Sequence, residues 1–215
     1  QTVSLTLDFD GTTRPFELHV PRLYEPFTET PLLLMFHGWG GNGAGLMTTM
    51  RPQADFSTFI AVAPTGVPEN QWSSWNGGGS SDSPGPAGPT CIPGSAGACY
   101  DSCFARPQGC DECDWTTCLD DFGFVEALLD FLEASLCVAT ERIFVGGYSN
   151  GGQFAFEVAA RLSDRIAAVA PLAGTPHNGF ATGPPSGHSV PLMVVHGVND
   201  VVCPANSTEP SVDGW

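Results

Sequence analysis

Apolar and polar positions alternate at the start of the chain. Val3, Leu5, Leu7 and Phe9 fall on one side and Ser4, Thr6 and Asp8 on the other, the period of a half-buried strand. Asp10-Gly11 marks a turn, and Phe16, Leu18 and Val20 continue as a partner strand, which predicts an N-terminal hairpin. The pattern then changes. Leu32 to Phe36 is apolar on both faces, and so are residues 59–63, 143–145, 166–170 and 192–195. Strands of that kind belong to a parallel sheet covered by helices. Between them, residues 119–136 place Leu119, Phe122, Val125, Leu128, Leu129, Leu132 and Leu136 on a stripe of helical period, with candidate caps at Asp120 and Asp121. Residues 150–162 carry a second stripe at Phe154, Val158 and Leu162. Strands alternating with helices predict an α/β fold with a doubly wound, mostly parallel sheet. Right-handed crossovers bring the strand ends and their loops to one edge, where sites form.

Residues 72–118 break this rhythm. They hold six of the eight cysteines, are rich in Gly, Pro and Ser, and show no helical or strand period. A segment this long without structure of its own is unusual in a compact domain. It reads as a disulfide-rich insertion within one domain spanning 1–215, either a tied surface loop or a wall of the binding site. At 215 residues, 42% hydrophobic and 14% charged, the chain is too apolar to be disordered and long enough to bury a core. No apolar run reaches membrane-spanning length. Seven Lys plus Arg against 23 acidic residues give a formal charge of -16. Such a charge argues against nucleic acid and anionic membrane surfaces as partners. Eight cysteines, and a first residue Gln1 rather than Met, suggest a processed, secreted protein with mostly disulfide-bonded cysteines. The rival is zinc. Cys110 and Cys113 form one C-x-x-C, but no second such pair at ribbon spacing and no nearby His complete a site, so no metal is expected.

The chemistry concentrates in three motifs. Gly147-Tyr148-Ser149-Asn150-Gly151 follows the strand 143–145 and precedes a helix, the context of a G-x-S-x-G nucleophile elbow. Small residues flank the serine because the turn is tight, and the helix N-terminus behind it favours a developing oxyanion. His37-Gly38-Trp39-Gly40-Gly41-Asn42 follows an early strand and suits an oxyanion loop, so the backbone N–H groups of Trp39 and Asn150 are the expected hole. His37 reads as a histidine that fixes this loop by hydrogen bonds. The third motif ends the strand 192–195 with His196-Gly197-Val198-Asn199-Asp200. An acid there suits the member of a Ser, Asp, His triad that orients the imidazole, with His196 structural.

Together with Asp120 to Phe124 and Arg165 to Gly174, these motifs make the chain resemble the secreted α/β-hydrolase esterases that include feruloyl esterases and polyhydroxybutyrate depolymerases. The resemblance covers about two thirds of the chain. It implies an α/β-hydrolase fold, Ser149 as nucleophile, Asp200 as triad acid, and ester hydrolysis through an acyl-enzyme without metal or cofactor. The expected substrate is a carboxylic ester, polymeric or polymer-derived: a feruloylated or acetylated polysaccharide, or a polyhydroxyalkanoate. One departure stands out. The family's catalytic histidine follows the acid in chain order, yet none of the 15 residues after Asp200 is histidine, and the last sheet strand is absent too. Three readings follow. The histidine lies on a missing C-terminal segment or a second chain; the protein is an inactive hydrolase scaffold kept for extracellular binding or structure; or His177 or His188 has moved into the site. Asn206-Ser207-Thr208 is the one N-x-S/T sequon and a candidate for glycosylation. Trp72 and Trp75 flank Ser73-Ser74 and would either stack on sugar or aromatic acyl groups or pack against the insertion.

Overall fold

A computed structural model describes residues 1–69, 72–76, 117, 119–174 and 188–200. The hairpin forms as its alternation predicts: β1 (Thr2–Phe9) and β2 (Thr12–His19) pair antiparallel, with Phe9 opposite Thr12. Asp10 and Gly11 both adopt positive φ, 46° and 73°, the geometry that twists a two-residue hairpin correctly. β2 joins β4 (Ile60–Pro64) antiparallel, and from there the sheet is parallel: β4 to β3 (Thr30–Phe36), β3 to β7 (Val138–Tyr148), β7 to β8 (Ala168–Leu172). The spatial order is β1-β2-β4-β3-β7-β8. Residues 192–195 run parallel beside β8 through two bridges, Val169 to Leu192 and Leu172 to Val195, rather than as the full strand the sequence suggests. A separate two-residue pairing joins β5 (Pro68–Glu69) to β6 (Trp72–Ser73).

The sheet separates two apolar layers. Leu32, Leu34 and Phe36 of β3 face α2 (Asp121–Ser135) and α3 (Asn150–Arg161), joining Phe124, Leu128, Leu132, Phe154 and Val158 in the main core. The alternate residues Leu33 and Met35 face α1 (Gly43–Ser57), with Met47, Met50, Ala61 and Ala63. Every residue of β4 is buried, which is why that strand reads as a continuous apolar run. Beyond β3 on the α1 side, the sheet forms an open apolar groove of about 330 Å³, lined by Leu33, Phe144, Ala168 and Met193 among others.

Three elements depart from the sequence reading. α1 carries no strong apolar stripe, and its Gly43, Gly45, threonines and Pro52 are poor helix formers. Asn42 starts it, its side chain accepting from the Gly45 N–H at 2.8 Å. Second, Asp120 caps α2, whereas Asp121 turns inward and is fully buried. Its Oδ1 lies 2.5 Å from Arg14 of β2, itself 2% exposed and stacked 4.0 Å over the Phe124 ring. Third, the first residues of the segment 72–118 belong to the ordered fold. Residues 72–76 are stitched into the fold: the Asn76 N–H donates to Asp121 Oδ2 at 2.7 Å, and its amide donates to the Leu119 carbonyl at 2.8 Å. Residues 77–116 and 118 of the segment read as an insertion, His177 and the sequon at Asn206 lie outside the described residues. Cys137 is unpaired, and the other seven cysteines lie outside the described residues.

Burial pushes the Asp121 carboxyl up, with Arg14 and the Asn76 N–H pulling the other way. Arg14→Met strips the countercharge from a carboxylate with no water to turn to, so a loss of about 3–5 kcal/mol is expected in denaturant titration. The double variant Arg14→Met with Asp121→Leu regains part of it. A single variant no less stable than the double one contradicts this account.

Candidate active site

The elbow is built by backbone strain and close approach. Ser149 sits between β7 and α3 at φ 53°, ψ -122°, a conformation an L-residue adopts at a cost of about 1–3 kcal/mol. Its N–H donates to the Leu172 carbonyl of β8 at 2.9 Å, and its carbonyl accepts from Gln153 at 3.0 Å. A Cβ on Gly151 would run into the carbonyl oxygens of Phe36 and His37, and one on Gly147 into that of Gly151. Glycine at these two places is what lets the helix start directly against the end of β3. Asn150 to Gly152 then present the N-terminus of α3 beside the serine.

The loop after β3 comes to the same place. A Cβ on Gly38 would lie 3.1 Å from the Tyr148 ring and 3.3 Å from Ser149 Cβ. Trp39, the next residue, therefore stands at the elbow, with its ring 38% exposed. The two segments nominated for the oxyanion, at Trp39 and at Asn150, are brought together.

The residue that joins them is Trp75, for which the sequence leaves stacking on substrate and packing inside the fold both open. Trp75 is fully buried. Its indole N–H donates to the His37 carbonyl at 3.0 Å. Its own N–H donates to Asn150 Oδ1 at 2.8 Å, and its carbonyl accepts from Asn150 Nδ2 at 3.1 Å. The ring lies parallel to Phe154 (5.3 Å, 6°) and edge-on to Phe36. Stacking on substrate is thus excluded for Trp75. Trp72 stays 40% exposed and stacks on Trp39 instead.

The histidines sort by their partners. His37 is 2% exposed; its Nδ1 lies 2.7 Å from the Gly38 carbonyl, and its Nε2 accepts from the Gly66 N–H at 2.9 Å. Both nitrogens are occupied by backbone, Nδ1 by its own loop and Nε2 by the turn after β4, so the ring ties the two loops together. Burial pushes it down to about 4. His196 lies with Nε2 3.4 Å from Asp200 Oδ2, so the structure brings the candidate acid together with its own strand-end histidine. His188 is exposed and lines a cavity of about 270 Å³ with Thr140, Glu141 and Arg165 to Ala167. Those residues flank the starts of β7 and β8, the opposite edge from Ser149, so His188 is excluded as a base for that serine. Among the described residues, no histidine hydrogen-bonds the Ser149 hydroxyl, and no group of three or more His, Cys, Asp or Glu could hold a metal ion. No helix among them is long and apolar enough to cross a membrane.

A parallel sheet whose β7 ends in a strained serine on a glycine-flanked turn into α3 defines an α/β hydrolase. Residues 110–212 match the model of the dienelactone hydrolase family. A probable feruloyl esterase C of Aspergillus clavatus is 33% identical over 88 residues, covering 40% of this chain and 31% of that protein. A bifunctional acetylxylan esterase/xylanase of Neocallimastix patriciarum is 32% identical over 82 residues, covering 38% of this chain and 12% of that protein. Among solved structures, a thermostable esterase superposes with a TM-score of 0.69 at 18% identity, over 99% of this chain and 51% of that one. The match thus spans about a third of the feruloyl esterase and about half of the solved esterase. The chain has the α/β-hydrolase fold and is similar to esterases of that fold, feruloyl esterases among them.

His37 generates a pH prediction. Neutral in the fold down to about pH 4, it protonates near 6.5 once unfolded, so in that interval the unfolded chain binds more protons. Its contribution, about 3 kcal/mol from the size of the shift, is complete above pH 6.5 and drains away as pH falls toward 4. Denaturant titrations across that window should show a steeper decline for the native protein than for His37→Asn. Parallel declines would contradict it.

Proposed function

We propose that the protein is a secreted serine esterase that cleaves carboxylic esters of plant-type polysaccharides, with Ser149 as nucleophile. The observation that carries the reading is the strained, glycine-enclosed Ser149 at the N-terminus of α3. Strain of this kind persists where function maintains it, and it argues against an inactive scaffold. In the reaction, Ser149 Oγ bonds to the ester carbonyl carbon as its proton passes to a general base. The oxyanion is received by the Trp39 and Asn150 N–H groups. Collapse breaks the bond to the alcohol oxygen, which takes the proton from the base, and water then releases the acid from the acyl-enzyme by the same steps.

Asp200 is the proposed acid that orients the base. The base itself is a histidine other than the four described ones, His19, His37, His188 and His196. We assign that role to His177, which lies outside the described residues, or to a histidine on further chain or a second chain. The names of the two curated relatives support esters of polysaccharides over polyhydroxyalkanoates. The cysteine content supports an extracellular setting.

The test is intact mass spectrometry of the native protein with and without a fluorophosphonate probe. One probe added at Ser149 is expected, and none with Ser149→Ala. The same variant should lose ester hydrolysis by at least about a thousandfold. Absence of labelling in protein that hydrolyses esters would move the nucleophile elsewhere.

A further inference from the structure

Two indole rings stack beside the elbow and stay open to solvent. The centroids of Trp39 and Trp72 are 4.5 Å apart with planes at 18°. The residues are 38% and 40% exposed. Large aromatic side chains left that open normally pack away, and here the backbone holds them out. Gly40, at φ 70°, presses against the Trp72 ring, where a Cβ would lie 2.7 Å from Cε3. The Gly40 N–H donates to the Ser73 carbonyl at 2.7 Å, and the Ser73 hydroxyl donates to the Gly41 carbonyl. Behind Ser73, the buried Trp75 pins the segment to His37 and Asn150. In front, Trp39 follows the glycine that touches Ser149, and Tyr148, 55% exposed, continues the aromatic surface. The result is a stacked indole pair, partly open to solvent, on the loop next to the elbow.

We propose that Trp39 and Trp72 form a carbohydrate-stacking subsite that holds a neutral pyranose ring of a polysaccharide while its ester reaches Ser149. The proposal rests on the reading of Ser149 as an esterase nucleophile and adds the part of the substrate that is recognised. A pyranose presents a face of C–H groups that packs on an indole, and its hydroxyls remain in water at the rim. An exposed platform suits a polymer lying across it; an aromatic acyl group gains most from an enclosed slot that takes both of its faces. Charge selects further. Neither 38–43 nor 72–76 contains a Lys or Arg, and the chain carries a formal charge of -16. A uronate-rich chain would be repelled, whereas a neutral xylan would not.

The test uses the native-length protein carrying Ser149→Ala, so that the ligand survives. Affinity electrophoresis in neutral arabinoxylan should retard it, and xylo-oligosaccharides should shift its tryptophan fluorescence; polygalacturonate should do neither. Adding Trp72→Ala should weaken binding by about tenfold, while Trp72→Phe keeps most of it. Phe27→Ala, which removes a 99% exposed ring elsewhere, should leave it unchanged. Thermal unfolding of each variant separates lost binding from a lost fold. Equal retardation of Trp72→Ala and its parent would overturn the proposal, as would a response to free ferulate with none to xylan. Fluorophosphonate uptake at Ser149 without xylan binding sinks this inference alone. Xylan binding without uptake sinks the esterase reading instead.

Discussion

The candidate site depends on one buried indole. Segments 36–42 and 149–151 are far apart in sequence, and each needs a backbone shape it would not hold alone. Trp75 ties them: its ring N–H holds the end of β3, and its main chain takes both side-chain hydrogen bonds of Asn150. Every one of these polar atoms is out of water, so leaving any of them unpaired costs about 1–3 kcal/mol. The aromatic packing with Phe154 and Phe36 adds a steric reason for the same arrangement. A strained φ at Ser149 survives because its surroundings offer no relaxed alternative.

The same logic runs outward. Asn76, next to Trp75, donates to Asp121, and Asp121 holds Arg14. One polar chain thus connects the elbow to the N-terminal hairpin, buried at Trp75, Asn150, Asp121 and Arg14 and half-buried at Asn76. In an acidic protein with only seven basic residues, one of them is spent inside the core. Such a pair adds little net stability over an apolar substitute, but it punishes misplacement of either end strongly. It therefore acts as a register device: the hairpin, α2 and residues 72–76 satisfy it together or not at all.

How much of this was legible follows from the kind of signal each part leaves. β1 and β2 alternate, β4 is buried on both faces, and Asp10-Gly11 supplies positive φ, so sheet and hairpin are readable from period and turn chemistry alone. The elbow is readable because glycine, serine and flanking strand sit within a few residues. α1 left no such trace: its Gly43 and Pro52 argue against a helix, and tertiary contact with Ala61 and Ala63 overrides propensity. Asp121 resembled a cap because a cap is a local motif, whereas its true partner is more than a hundred residues away. Trp72 and Trp75 are nearly equivalent in sequence and opposite in role. Only the long-range bonds to Asn150 and His37 decide which one faces water.

His37 shows how proximity and chemistry separate. It stands one residue from the glycine that touches Ser149, a position that invites a catalytic role. Its partners forbid one. Nε2 accepts a hydrogen bond from the Gly66 N–H, so the ring is neutral with its proton on Nδ1, directed at the Gly38 carbonyl. Taking a proton from Ser149 would require Nε2 to release Gly66, inside a site that already disfavours the imidazolium. The cost falls on the loop that carries Trp39, so the act of deprotonating serine would loosen one of the groups proposed to receive the oxyanion. A fold that uses a histidine to fix that loop cannot also use it as the base proposed for Ser149.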